Sequence, residues 1–242
     1  MRKCCIFYAV AFCLGLFFGS SRVTGFDSRI VSCKNFPDRS VLMTFDDGPS
    51  ASTEKVLEAL KAEDVKAIFF IVGKNGISPQ GRKVLKRISE EGHMIANHGY
   101  HHVTMTKLTK KEQQLSLNKT NACITDFQKS VLYFRPPGGA CNDTLKRSVS
   151  DSGMRVMFWN IDPKDWKKDS HGCRPSSQVL KERILETLKT QGHRGIILLH
   201  DIHLNTALSV PMIIKNLKKN GYHFITPEEV SVYQESSTNK KY

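Results

Sequence analysis

Residues 41–50 read VLMTFDDGPS, and the fold turns on how that stretch is parsed. Val41–Phe45 is an apolar run of strand length. Two carboxylates follow side by side, Asp46 and Asp47, and Gly48-Pro49 then turns the chain. Beyond the turn, Val56, Leu57 and Leu60 share one face of a helical pattern. Strand, acidic turn and helix make one unit of an α/β fold. Adjacent like charges at a strand end repel, and burying them costs free energy unless something pairs with them. A solvated Asp-Gly turn accounts for the same residues with no function attached.

The unit recurs. Further apolar runs lie at Ala67–Val72, Met94–Ala96, Val131–Phe134, Val156–Trp159, Gly195–Leu199 and Tyr222–Ile225. Helical stripes separate them: Val84, Leu85 and Ile88 before Gly92; Leu180, Ile184 and Leu188; Val210, Ile214 and Leu217 before Gly221. Thr109 and Glu112 form a capping-box pattern that opens another helix. The alternation predicts a single α/β domain of about seven mainly parallel strands, closed as a barrel or left as an open sheet.

Arg2 and Lys3 precede an apolar run from Cys4 to Phe18, and small residues lead to Gly25. That order predicts a secretory signal peptide over residues 1–25, too short to anchor as a spanning helix. A lead-in segment (26–40), the main domain (41–234) and a polar tail (235–242) follow. The formal charge is +13; residues 1–25 hold Arg2, Lys3 and Arg22 and no acid, so a cleaved chain carries +10. Such a surface favours anionic partners. No stacking motif or recognition helix supports nucleic acid. Cys33, Cys123, Cys141 and Cys173 remain after cleavage, and sequence leaves their three possible pairings, or four free thiols, open. No C-x-x-C occurs. N-x-T sequons stand at Asn118 and Asn142.

Polar clusters follow five of the apolar runs: Asp46-Asp47; NHGYHH (97–102); RPPGG (135–139); DPKDW (162–166); and LLH, ending in His200. In α/β folds the carboxyl ends of the strands form the catalytic face. Histidines four residues apart, with a carboxylate from elsewhere, suit Zn²⁺ or a similar divalent ion. His98/His102 has that spacing, and His98/His101 is the alternative. With a cation present, one of the two aspartates could bind it while the other acts as a base beside it.

TFDDGP, His98-x-x-x-His102, RPPGG, DPKDW and LLH, in that order, resemble the five motifs of the polysaccharide deacetylases, carbohydrate esterase family 4. The resemblance runs from Val41 to Glu228. It implies a distorted (β/α) barrel of about seven strands. It further implies a divalent metal, Zn²⁺, on Asp47, His98 and His102, with Asp46 as catalytic base and His200 as the acid toward the leaving amine. Arg135 would hold Asp46, and Asp165 would orient His200. Gly138 would supply a backbone N–H to the oxyanion, and Trp166 and Leu198 would shape the acetyl pocket. Two positions depart from the family pattern. Gly99 replaces a frequent Ser or Thr, which predicts a looser histidine loop. Gly138 replaces a frequent Tyr, which removes a side chain from the groove.

The expected function is metal-dependent removal of N-acetyl groups from an exported or cell-wall polysaccharide. Peptidoglycan N-acetylglucosamine is favoured by the leader, the basic charge and the likeness of WNIDPKDW to bacterial members of the family. Chitin or a chito-oligosaccharide is the near alternative, acetylxylan a distant one. A carbohydrate-binding protein without catalysis is the reading from another class; loss of Asp46 or His200 would mark it, and both are present. No G-x-S-x-G is present for a serine esterase. The expected location is secreted, periplasmic or wall-associated, with no stable membrane span after cleavage.

Overall fold

A computed structural model describes Asp27 and residues 29–235. The predicted leader and the tail beyond Glu235 lie outside the described residues. In chain order the elements are β1 (Ile30–Val31), β2 (Ser40–Asp46), α1 (Ala51–Ala62), β3 (Ala67–Ile71), α2 (Gly73–Gly76), α3 (Pro79–Glu90), β4 (Met94–Asn97), α4 (Lys110–Ile124), β5 (Tyr133–Phe134), α5 (Asp143–Asp151), β6 (Arg155–Met157), α6 (Ser177–Thr190), β7 (Arg194–His200), α7 (Leu204–Lys219), β8 (His223–Phe224) and α8 (Pro227–Glu235). Short 3₁₀ turns at Met105–Lys107 and Pro137–Gly139 interrupt the loops.

All seven expected strands are present, and every strand pairing is parallel. The two-residue β1 is an addition that the apolar pattern did not signal. The sheet runs β1-β6-β5-β4-β3-β2-β7, with β8 also pairing to β2. Its curl is completed after β6. The segment Asn160–Ile161 lies along the free edge of β7, where Leu198 N–H donates to Ile161 O at 2.9 Å and Ile161 pairs with Ile197. The Asn160 side chain extends this contact: its Oδ1 accepts from Ile196 N–H (2.8 Å) and its Nδ2 donates to Arg194 O (3.1 Å). Gly195 permits the approach, since a Cβ there would lie 2.5 Å from the Ile161 side chain. The result is the distorted barrel expected from the sequence.

The strand period of two sorts the residues into layers. On β2, Val41, Met43 and Phe45 face the helices, and Leu42 faces inward. Thr44 and Asp46 continue the inward row. On β7 the outward row is Ile197 and Leu199, and the inward row starts at Ile196 and runs through Leu198 to His200. The helix stripes meet the outward rows. Val84, Leu85 and Ile88 of α3 are fully buried, each contributing about 1.5–3 kcal/mol. The Thr109/Glu112 capping box opens α4 as expected. All four described cysteines are free thiols, so no disulfide holds this part of the chain. Asn142 caps α5 by accepting from Leu145 N–H, and its side chain is thereby engaged.

Candidate active site

The site begins one residue beyond the strands. The parallel ladder continues past their carboxyl ends: Asp47 N–H donates to Phe70 O, His98 N–H to Ile71 O, Arg135 N–H to Asn97 O and Asp201 N–H to Asp46 O. Strand register therefore delivers the polar residues to one rim. Asp46 and His200 are direct partners across β2 and β7, and adjacent strands lie only about 4.8 Å apart.

Asp46 is buried, and its Oδ1 accepts from Arg135 Nη1 at 2.8 Å. Arg135 is 0 % exposed. It also donates to Thr44 Oγ1 (2.8 Å), Met157 O (3.1 Å) and Phe158 O (3.3 Å), and its guanidinium lies 4.0 Å from the centre of the Phe70 ring. Burial lowers its pKa and Asp46 opposes the shift; an arginine stays charged regardless. Asp46 Oδ2 is left toward the rim, 3.7 Å from His98 Nε2.

On the neighbouring side, Asp47, His98 and His102 each offer a ligand atom, all within 4.8 Å of one another. Asp47 Oδ1 lies 3.4 Å from His98 Nε2 and 3.1 Å from His102 Nε2. That oxygen is buried and accepts no hydrogen bond of good geometry. His98 Nδ1 is 2.7 Å from Arg135 O, and a carbonyl only accepts, so Nδ1 carries a hydrogen and Nε2 is the atom left toward Asp47. Lone pairs converging on one point repel unless a cation or proton lies between them. Two nitrogens and a carboxylate oxygen suit a divalent ion of the zinc type. Burial pushes the Asp47 carboxyl up, but the His102 and His98 imidazoles outweigh it and hold it well below the usual carboxylate range. Asp47 in turn raises His102, so a cation competes there with a proton. Asp47 (φ 81°) and His102 (φ 52°) both have left-handed backbones, a strain found mostly at functional sites. His101 stands apart, its ring edge-on to Tyr100. His101→Ala is therefore expected to leave bound metal near the wild-type level, whereas His102→Ala lowers it sharply. Metal content after dialysis measures this, and the reverse result would reassign the ligand.

The histidine loop is tied down despite Gly99. Gly99 has φ 74°, a conformation that glycine adopts without strain, and its N–H donates to Asn97 Oδ1 at 2.8 Å. Asn97 is itself fixed to Leu117 O and Asn121 Oδ1, and Tyr100 N–H donates to Ser116 Oγ. These bonds do the work that the sequence reading assigned to a Ser or Thr side chain.

Across the rim, His200 Nδ1 lies 2.8 Å from Asp165 Oδ1, and His200 N–H donates to Asp165 Oδ2. Asp165 is fully buried and also accepts from Thr206 Oγ1. Burial lowers the His200 pKa, but the Asp165 hydrogen bond and charge, with Asp46 and Asp47, raise it overall to about 9. Its Nε2 remains for the rim. Trp166 is 46 % exposed beside this loop, while Leu198 is buried two residues below His200 on the inward row. Gly138 has φ 65°, and a Cβ there would meet nothing within 4 Å. Any side chain at that position would project into open space.

Some positioning residues carry no sequence signal. Thr44 braces Arg135 and Thr206 braces Asp165, yet a lone hydroxyl in an apolar element has no telling spacing. Asp201 is the more informative omission. Its carboxyl sits where a Cβ on Gly48 would stand, 2.2 Å away, and it accepts from Thr53 Oγ1 at 2.6 Å. Burial pushes it up to about 7 against that hydrogen bond, and Asp47 and Asp46 add to the rise. It links the end of β7 to the acidic turn. The signal was present as a third acid directly after His200.

Comparison with known proteins adds relatives to this geometry. The model of the family described as polysaccharide deacetylase matches residues 34–157. The peptidoglycan-N-acetylglucosamine deacetylase PgdA of Listeria monocytogenes is 35% identical over 198 residues, 80% of this chain and 39% of PgdA. A peptidoglycan-N-acetylglucosamine deacetylase of Bacillus cereus is 33% identical, with 78% of this chain and 69% of the relative covered. Among solved structures, a carbohydrate esterase family 4 pseudoenzyme of Bacillus anthracis superimposes with a TM-score of 0.71 at 28% identity, covering 80% of this chain and 65% of that one. The chain thus spans about two fifths of the length of PgdA.

Proposed function

The chain belongs to the polysaccharide deacetylase family, carbohydrate esterase family 4, and from that premise we propose that it is a metal-dependent hydrolase removing N-acetyl groups from an exported or wall polysaccharide, with peptidoglycan N-acetylglucosamine as its substrate. The observation that carries this reading is the pairing of Asp46–Arg135 and His200–Asp165 on adjoining strands, directly beside the Asp47–His98–His102 donor set. A binding protein has no use for a buried base and a raised acid held on opposite sides of one rim.

Asp47, His98 and His102 would hold the cation, with Zn²⁺ the best match to the donors. Such an ion supplies Lewis acidity toward water and an amide carbonyl. The chain's own residues do the rest. Arg135 holds Asp46 in place through Oδ1, so that Oδ2 can take the proton of the attacking water. The Gly138 N–H faces the developing oxyanion from a turn whose next N–H, that of Gly139, is already bonded to Pro136 O. His200 Nε2 gives its proton to the departing sugar amine, and Asp165 fixes the ring and keeps it charged until then. Leu198 and Trp166 line the acetyl methyl.

The substrate that PgdA and the Bacillus cereus relative are named for supports peptidoglycan over chitin. They also support a place outside the cell or at the wall. Among the described residues no helix is long and apolar enough to cross a membrane. The test is mass spectrometry of peptidoglycan fragments and chito-oligosaccharides incubated with the protein, with and without EDTA. Metal-dependent loss of acetyl groups is expected. Tight binding with no loss at any metal concentration would replace this reading with the non-catalytic one.

The acid role gives a pH dependence. His200 must be protonated to act, so kcat/KM falls as pH rises through its folded-state pKa of about 9. A cation on Asp47 offsets part of the carboxylate field, so the loaded enzyme turns at or below that value. Asp165→Asn removes the largest support for the charged ring and is expected to move the alkaline limb toward neutral pH. A pH–rate profile that is unmoved by Asp165→Asn would assign the limb to another group.

A further inference from the structure

The loop that brings Asp165 and Trp166 to the site also walls a second hollow. An open cavity of ≈ 660 Å³ lies between this loop and the first turns of α6. Five cations face it: Lys164, Lys167, Lys168, Arg174 and Arg183. Three acids share the wall, and two of them are engaged in shaping the loop. Asp162 Oδ1 accepts from Lys164 N–H, and Asp169 Oδ1 accepts from His171 and Cys173 N–H. Arg183 donates to Pro163 O, and among the described residues none of the five cations has an ion-pair partner. The N-terminus of α6, capped by Ser176, adds its partial positive charge at the same place.

The cavity lies on the His200 side of the centre. Burial and then the charge of Arg174 lower the pKa of His203, and the His203 ring is 6.0 Å from that of His200. The hollow on the opposite, histidine-loop side is of another character, lined by Tyr100, Val103, Leu108 and Leu115. Against Asp162, Asp169 and Glu186 the five cations leave an excess of two positive charges on the wall, and such an excess in a concavity focuses its field on the mouth and draws ligands of opposite sign. A lysine-rich convex surface would do this only weakly, because salt screens it within about 8 Å.

We propose that this cavity is a subsite for an anionic substituent, carboxylate or phosphate, that the polymer carries beside the sugar being deacetylated. The proposal rests on the deacetylase reading above and sharpens its substrate class. Chitin and acetylxylan carry no such charge and gain nothing from the cavity, whereas a wall polymer with acidic side groups gains both affinity and register.

The experiment compares kcat/KM of the metal-loaded full chain on three substrates: muropeptide fragments with free carboxylates, the same fragments after amidation, and neutral chito-oligosaccharides. Free-acid fragments are expected to be processed about tenfold better or more than amidated ones, an advantage that shrinks as salt is raised. Lys168→Gln combined with Arg174→Gln should abolish most of that advantage and leave turnover of the neutral oligomer little changed. A glycerol phosphate oligomer is included as competitor. Competition that the double variant loses, with no preference between free and amidated fragments, would assign the anion as phosphate. Equal kcat/KM on free and amidated fragments with no competition would overturn the proposal. Titration calorimetry with the same fragments reads the preference even if no substrate is turned over. In that event the deacetylase reading fails and the anion subsite is judged on binding alone.

Discussion

Asp46→Asn is expected to lose about 10²–10⁴ in kcat while the protein still binds its metal. The amide keeps the shape of the side chain and still accepts from Arg135, but it cannot take a proton from water. Added metal cannot rescue that loss. Asp47→Asn should fail in a different way. Its Oδ1 faces two imidazole nitrogens at 3.4 and 3.1 Å, and an amide oxygen is a much poorer partner for a cation there. Metal affinity should drop, and excess metal should restore part of the activity. Metal content and kcat across a metal titration separate the two. If Asp46→Asn loses its metal and recovers with excess, while Asp47→Asn stays loaded and inactive, the roles are reversed. If both keep near-wild-type activity, the pair is only a turn.

The second large effect is on stability. Arg135→Met should destabilise the fold by about 3–5 kcal/mol, the cost of leaving one member of a buried ion pair uncompensated. The guanidinium is fully enclosed and engages Asp46, Thr44 and two carbonyls at once. Methionine fills much of the volume between Phe70 and Trp159 but answers none of those acceptors. The measurement is a urea midpoint at constant slope. Asp46→Asn/Arg135→Met should recover part of the deficit, because the orphaned charge is then gone. A loss near zero for Arg135→Met would mean that Asp46 is stabilised by something other than this arginine.

The fold was legible wherever periodicity was strong. Seven apolar runs became seven strands because each is a continuous or alternating run bounded by turn residues. Ile30–Val31 escaped because two residues make no period, and Gly73–Gly76 escaped because GKNG has no stripe. The site was legible as five strand-end clusters, since register alone converts strand ends into one rim. Spacing alone left His101 and His102 open, and the motif resemblance chose His102; in the fold His102 has a left-handed backbone and its Nε2 lies 3.1 Å from Asp47 Oδ1. The pairing of Asp165 with His200 is a contact between residues 35 apart, which no local pattern reports.

The stretch that follows β6 leaves the protein with an obligation beyond chemistry. Gly195–Leu199 is an uncharged, branched, strongly adhesive segment, the composition that builds intermolecular zippers when its edge is bare. Asn160 and Ile161 occupy that edge, and a few residues later the same stretch supplies Asp165 to His200. Self-adhesion is thus held off by the segment that orients the acid. Damage to this one stretch would therefore bare the β7 edge and unseat the acid's partner together.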